Sequence, residues 1–179
     1  MSSEQAEPAP SQQVRLVERV RPPEAADERA TLSGMLDFLR DTVVHKVAGL
    51  SDEQAFGRPV AASALTPAGL VKHLTGVERF WFAIDFAATD VEWPWTDDNP
   101  HGNFPIAPGD TLAALVADYQ AECGRSRAIT AAASFDDLAR GEDMAFNLRY
   151  AVTHLIEETA RHLGHLDLLR EAVDGSVGE

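Results

Sequence analysis

Residues 151–173 of the chain read AVTHLIEETARHLGHLDLLREAV. When this segment is projected at about 100° per residue, its apolar side chains gather on one broad arc, which is the pattern of an amphipathic helix. The arc is formed by Val152, Leu155, Thr159, Leu163 and Leu166. Glu157, Arg161 and Glu171 lie on the other side, toward water. We therefore expect one long helix here, with the rest of the chain organised around it.

The same helix carries three of the six histidines, His154, His162 and His165. Residues four apart share one face of an α-helix, about 6 Å apart along the axis. His154, Glu158 and His162 therefore form a stripe, at the edge of the apolar arc. Burying the ionisable pair of Glu158 and His162 at this edge costs free energy unless something neutralises it. A divalent metal could neutralise the pair if another helix supplied a third ligand. The alternative is a half-exposed Glu–His pair of no special function.

A second histidine-bearing helix is predicted over residues 66–86. Thr66 is a good N-cap and Pro67 fits the first helical turn. The predicted apolar face consists of Leu70, Val77, Phe80, Trp81 and Ile84. His73 falls in the middle of that face, where a histidine satisfied by a neighbour would be the ordinary interpretation. Glu158 and His162 offer two further inward-facing ligands from another helix. We therefore predict that His73, Glu158 and His162 together bind the metal.

Two further amphipathic patterns complete a predicted bundle. The predicted helices cover residues 27–50, 66–86, 110–132 and about 146–174. Four such helices with long connections favour an all-α four-helix bundle, in which metal sites are built from facing helices. In the first helix, Arg40 and Lys46 fall outside the apolar face. Residues 1–25, rich in Ser, Gln, Glu and Pro, predict a tail or extended arm, so the bundle domain is predicted over residues 26–179.

The connection over residues 90–110 is long and rich in aromatic residues. It contains Trp93, Trp95, His101 and Phe104. Long irregular segments in compact domains are often functional, so these rings could cover a pocket. They could equally pack on the bundle without a further role. His101 is a weak candidate for a fourth metal ligand or a substrate contact.

Composition narrows the class of protein. The formal net charge is −14, with no Lys/Arg cluster, so neither nucleic acid nor an anionic membrane is an expected partner. The single cysteine, Cys123, excludes an internal disulfide, and its helical spacing favours a small buried residue over a nucleophile. No segment has the pattern of a signal peptide or a membrane span. We expect a soluble cytoplasmic protein.

Three blocks of the sequence resemble the DinB-like (YfiT-like) metalloenzyme superfamily, in the branch related to mycothiol-dependent maleylpyruvate isomerase. They are DERATLSGMLDFLRDTVVHKVAGLSDEQ at 27–54, LTPAGLVKHLTGVERFWF at 65–82 and LRYAVTHLIEETARHLGHLDLLREAVDG at 148–175. The resemblance implies a four-helix bundle of that type. It also implies a divalent metal, zinc with nickel or iron as alternatives, bound by one histidine on the second helix and two ligands spaced i, i+4 on the last.

The matching positions are His73, Glu158 and His162. Many members have histidine at the position of Glu158, and the glutamate here is like that of the mycothiol-dependent isomerase. His165 is expected in the second shell or in proton transfer, and His154 is the alternative ligand. The resemblance implies a metal-dependent enzyme, a transferase or isomerase that uses a low-molecular-weight thiol such as mycothiol on a small electrophile. No residue matches the substrate-binding arginine of the isomerase, so the specific activity of that enzyme is not implied. The alternative is a non-catalytic metal-containing protein of small-molecule binding or stress resistance. A homodimer is the candidate assembly.

Overall fold

Five α-helices form the regular structure of the computed structural model, which describes residues 14–95 and 104–177. They are α1 (Glu28–Val47), α2 (Asp52–Phe56), α3 (Pro67–Glu78), α4 (Leu112–Ala131) and α5 (Leu148–Asp174), with a π-helical segment (Arg79–Phe86) that continues α3. The described residues form no strand, and only one isolated bridge joins Leu138 to Asn147. The predicted all-α fold of the DinB-like type is thereby confirmed.

Side-chain caps explain where the long helices begin. Asp27, Thr66, Thr111 and Asn147 each accept a hydrogen bond from a backbone N–H in the first turn of the helix that follows. Such caps satisfy donors that the helix itself leaves unpaired. At the other end of α5, Gly175 has φ of 76°, a left-handed conformation that glycine adopts without a steric penalty. These local signals lie in the sequence, and the predicted bounds of all four long helices are close to the observed ones.

Helix α2 lies between the predicted helices of residues 27–50 and 66–86, where the sequence predicts no helix. Ser51 and Gln54 form a reciprocal capping box at its start. The pair satisfies two backbone groups of a single helical turn. A helix this short has no hydrophobic period, so the capping residues were its one signal in the sequence.

The bundle is held together by two adjoining core clusters. Helix α1 packs along α5, and α3 packs along both α4 and α5. One cluster joins the ends of α1 and α5 to α3 and α4, and the other joins the start of α5 to α1 and the π-helical segment. The predicted apolar arc of α5 is buried as expected. Its side chains are Val152, Leu155, Thr159, Leu163 and Leu166. Glu158 and His162 lie between Leu155 of one cluster and Leu163 of the other.

The π-helical segment corrects the predicted face of the second helix. Phe80 and Ile84 were expected to point into the core, but both are only partly buried, whereas Phe82 and Phe86 are fully buried. Hydrogen bonds from i to i+5 widen the turn, so each residue advances through a smaller angle than in an α-helix. The periodicity of 3.6 residues therefore loses its phase after Glu78.

A second correction concerns the charged residues of α1. Arg40 was placed outside the apolar face, but it is only 4% exposed and lies against Glu78, which is 1% exposed. Its Nε and Nη2 donate to the two Glu78 carboxylate oxygens, each at 2.7 Å. Lys46 is also buried, and its Nζ lies 2.6 Å from Asp167 of α5. In both cases a neighbouring helix supplies a carboxylate that the sequence of α1 does not reveal.

The residues before α1 run along the bundle without forming a helix. Val14 and Val17 pack against the core, and Pro22 lies so close to Gly34 that a Cβ there would stand 2.8 Å from the proline Cβ. The division into an arm of residues 1–25 and a bundle of residues 26–179 stays a prediction. Among the described residues, no helix has both the length and the apolar character needed to cross a membrane.

We predict that Arg40→Met lowers the free energy of unfolding by about 3–5 kcal/mol, because it leaves the Glu78 carboxylate buried without its partner. Urea denaturation measures this loss. The double variant Arg40→Met/Glu78→Leu should regain most of it, since an apolar pair carries no buried charge. Arg125→Met is the matched control, as Arg125 is half exposed in its pair with Glu122. An equal loss in Arg40→Met and the control would contradict the prediction.

Candidate metal centre

Three side chains from two helices meet at the junction of the core clusters: His73 of α3 and Glu158 and His162 of α5. The Glu158 Oε1 lies 3.0 Å from His162 Nε2 and 3.6 Å from His73 Nε2. One ligand atom from each residue lies within 4.8 Å of the other two. Within residues 14–95 and 104–177, this is the one group of three or more His, Cys, Asp or Glu side chains with such spacing.

The distances suit a small divalent cation. Ligand atoms about 2.0–2.1 Å from zinc, at tetrahedral angles, stand about 3.3 Å from one another. The Glu158 Oε1 atom lies 3.0 Å from His162 Nε2, slightly less than this value, and 3.6 Å from His73 Nε2, slightly more. Two imidazoles and one carboxylate are a donor set that zinc accepts, and Fe(II) accepts it as well. Three protein ligands leave at least one coordination position for water or a substrate atom.

The protonation states also suit metal binding. Burial would raise the pKa of Glu158, but attraction and hydrogen bonds from His162 and His73 outweigh it and lower this pKa below its ordinary value. Burial lowers the pKa of His162, although Glu158 opposes that effect. At neutral pH the group therefore holds a carboxylate and a neutral His162, and these are the forms that bind a metal. The outer oxygen of Glu158 lies 3.6 Å from the exposed Arg161.

Phe104 covers one side of the site. Its ring stacks on His73, with ring centroids 4.1 Å apart and planes 15° from parallel. The approach depends on Gly69, one turn before His73, because a Cβ there would lie 3.0 Å from the Phe104 carbonyl oxygen. Lys72 Nζ donates to the Pro105 carbonyl at 2.8 Å and holds the same segment on α3. Sequence reasoning missed this contact, for which Gly69 on the face of His73 was the available signal.

His165 stands directly behind His162, with the two Nδ1 atoms 3.3 Å apart. His162 turns its Nε2 toward Glu158, so its Nδ1 is free to share a proton with His165. A hydrogen bond of this kind sets the tautomer and the ring orientation of a ligating histidine. The position agrees with the prediction that His165 contacts a metal ligand and is not itself one, but its role stays a prediction.

His154, the alternative ligand, lies outside the group of three. Its ring packs against Trp81 with centroids 4.3 Å apart, and its Nδ1 is 3.9 Å from Glu157. His101, the weak fourth candidate, falls outside the described residues. Among the predicted candidates, the structure thus brings together His73, Glu158 and His162, places His165 behind them and turns His154 to an aromatic neighbour.

The only thiol of the chain is not part of this site. Cys123 is buried on α4, as predicted, and burial raises the pKa of its thiol far above the ordinary value. The thiolate is the reactive form, so Cys123 offers no nucleophile at neutral pH. Any thiol chemistry of this protein must use a thiol from solution.

Comparison with known proteins identifies one family. The model of a family described as Mycothiol-S-transferase matches residues 31–175, which is most of the chain and includes every residue of the site. No curated protein matches the chain.

We predict that His73→Ala and His162→Ala each abolish stoichiometric zinc binding, because two remaining ligands hold zinc too weakly. Elemental mass spectrometry and calorimetric titration of protein purified without a tag measure the effect. His45→Ala, on α1 and outside the group, is the control and should keep about one zinc per chain. Glu158→Gln should weaken binding less than Glu158→Ala, since the amide keeps one oxygen, and Glu157→Gln should leave it unchanged. Full zinc retention in His73→Ala or His162→Ala would refute the site.

We also predict that His165→Phe lowers zinc affinity about 10- to 100-fold without abolishing binding, because it removes the partner of His162 Nδ1. His165→Gln should lose less, since its carbonyl oxygen can still accept a hydrogen bond. Competition with a fluorescent zinc chelator measures both values. Equal affinity in wild type and His165→Phe would show that His165 does not orient the ligand.

Proposed function

Since the chain belongs to the mycothiol-S-transferase family, a DinB-like family related to mycothiol enzymes, we propose that it joins the sulfur of mycothiol to a small electrophile with the help of zinc. The observation that carries this proposal is the convergence of His73, Glu158 and His162 in a chain whose own thiol is buried. Nickel or iron fit the donor set, but transfer of sulfur to carbon needs no redox change at the metal, which favours zinc.

Zinc held by His73, Glu158 and His162 would supply a positive charge that lowers the pKa of a bound thiol and so favours the thiolate at neutral pH. Side chains of the protein provide the charge and the orientation that zinc binding requires. Glu158 brings a negative charge held between two histidines, and His165 keeps His162 turned toward the carboxylate. Phe104 shields His73 from water on one side. A sparsely hydrated site strengthens the attraction between such charges.

The reaction proposed is a substitution. The mycothiol sulfur forms a bond to the electrophilic carbon, the bond from that carbon to its leaving group breaks, and the leaving group departs with the electron pair. The thiol proton passes to solvent. Neither Cys123 nor another nucleophile of the protein forms a covalent intermediate in this scheme. An isomerase would use the same thiol addition and then release it, so the product distinguishes the two activities.

Zinc-loaded protein should accelerate loss of mycothiol in the presence of iodoacetamide and yield the S-carbamidomethyl conjugate, measured by liquid chromatography with mass spectrometry. Removal of zinc by a chelator should abolish the enzymatic rate, and added zinc should restore it. Glu158→Ala should be inactive, whereas Glu157→Gln, one residue away and exposed, should retain full activity. A rate that survives both chelation and Glu158→Ala would refute the proposal. Zinc binding without any conjugate, across several electrophiles, would favour a non-catalytic binding protein.

A further inference from the structure

All three tryptophans of the chain lie in one aromatic cluster. Phe80 is at its centre, with ring centroids 5.3 Å from Trp93, 4.8 Å from Trp95 and 6.0 Å from Trp81. On its other side, Trp81 contacts three rings of the last helix and the segment before it. These are Phe146 at 5.1 Å, Tyr150 at 6.0 Å and His154 at 4.3 Å. We call Trp81, Phe146, Tyr150 and His154 the aromatic wall.

Trp81 and Phe146 pack against the second core cluster, but core packing does not account for the whole wall. Tyr150 is 54% exposed, and Trp81 and His154 are only partly buried. Large apolar side chains exposed side by side often mark a binding surface. The aromatic faces here meet at separations of 4.3–6.1 Å, within the range in which rings attract one another through stacked or tilted contacts.

The wall begins one helical turn from the candidate metal ligands. Tyr150, His154 and Glu158 follow one another at intervals of four residues on α5, so the wall leads along one face of the helix toward the carboxylate. One such interval is about 6 Å along the axis. On the opposite side, α3 carries His73 beside Glu158, and the π-helical segment that follows carries Trp81 beside His154.

The π-helical segment is what exposes Trp81 to this face. Its wide turn assigns Phe82 and Phe86 to the core and leaves Trp81 at the edge, in contact with His154. Irregular π turns inside helices occur frequently at functional sites. The same irregularity therefore separates the residues that hold the fold from the residue that faces the site.

We propose that the aromatic wall binds the electrophile and selects planar aromatic substrates by stacking. This inference rests on the proposed function, because it assigns the second substrate of the same reaction. With 1-chloro-2,4-dinitrobenzene, the thiol sulfur forms a bond to the ring carbon that carries chlorine. The carbon–chlorine bond breaks, chloride leaves with the electron pair, and the thiol proton passes to water. Trp81 and Tyr150 hold the ring, and His154 acts by its flat face rather than by its nitrogen atoms.

Substrate selectivity tests the wall. Tyr150→Leu and Trp81→Leu should each raise KM for 1-chloro-2,4-dinitrobenzene about fivefold to tenfold with mycothiol as cosubstrate. KM for the small aliphatic electrophile iodoacetamide, which has no ring to stack on the wall, should rise much less. Trp93→Leu is the matched control, since Trp93 is 50% exposed and contacts Phe80 rather than α5. His154→Phe should retain the aromatic preference, and His154→Leu should lose it. Equal losses for both electrophiles, or none for either, would overturn the proposal.

A binding measurement separates failure of the wall from failure of the proposed function. Wild-type protein, with or without zinc, should show saturable quenching of tryptophan fluorescence by 1,3-dinitrobenzene, which lacks a leaving group and cannot react. Tyr150→Leu keeps all three tryptophans and should need about fivefold more of this probe for half-maximal quenching. Unchanged quenching in Tyr150→Leu would overturn the wall even if the transferase is active. A change in sedimentation of Tyr150→Leu without a change in quenching would instead assign the wall to contact between copies of the chain.

Discussion

The buried ion pair of Arg40 and Glu78 is the constraint on which the arrangement of the helices depends. Two charges have left water, and two parallel hydrogen bonds compensate them only in one relative position of α1 and α3. Such a pair adds little net stability over an apolar one, but an incorrect alignment leaves a charge buried and unpaired. Glu78 is also the last residue of α3 before the π-helical segment. The pair therefore positions His73 on one side of it and Trp81 on the other.

The candidate metal centre differs from that ion pair in its charge balance. Arg40 neutralises Glu78 inside the bundle, whereas the inner oxygen of Glu158 faces two imidazoles, and the nearest guanidinium, that of Arg161, approaches the outer oxygen. A half-buried carboxylate aligned with two imidazole nitrogens is complementary to a small cation. The Glu78 carboxylate is thus neutralised inside the core, whereas the Glu158 carboxylate lies partly exposed at the edge of the bundle. The position of each glutamate on its helix decides which role it has.

Much of this arrangement could be predicted from local sequence. The spacing of Glu158 and His162, the apolar arc beside them and the capping residues depend on helical geometry over a few residues, so they follow from one segment at a time. The burial of Arg40 could not be predicted in this way, because its partner is 38 residues away on another helix. The side of the helix on which Trp81 lies could not be predicted either, because a π turn changes the angle between successive residues without a clear local signal. Phe104 reaches His73 across a long connection, and Gly69 only permits that approach.

The sequence by itself determined which helices form, which side of each is apolar and which residue types could bind a metal, because these properties depend on short-range periodicity and side-chain chemistry. Only the tertiary structure decided how close His73 lies to Glu158, that His154 turns to Trp81 instead, and that the three tryptophans share one aromatic cluster. Those relations depend on how helices distant in the chain are aligned. That alignment is set by the joint packing of two core clusters and by the compensation of buried charge, which no single segment contains.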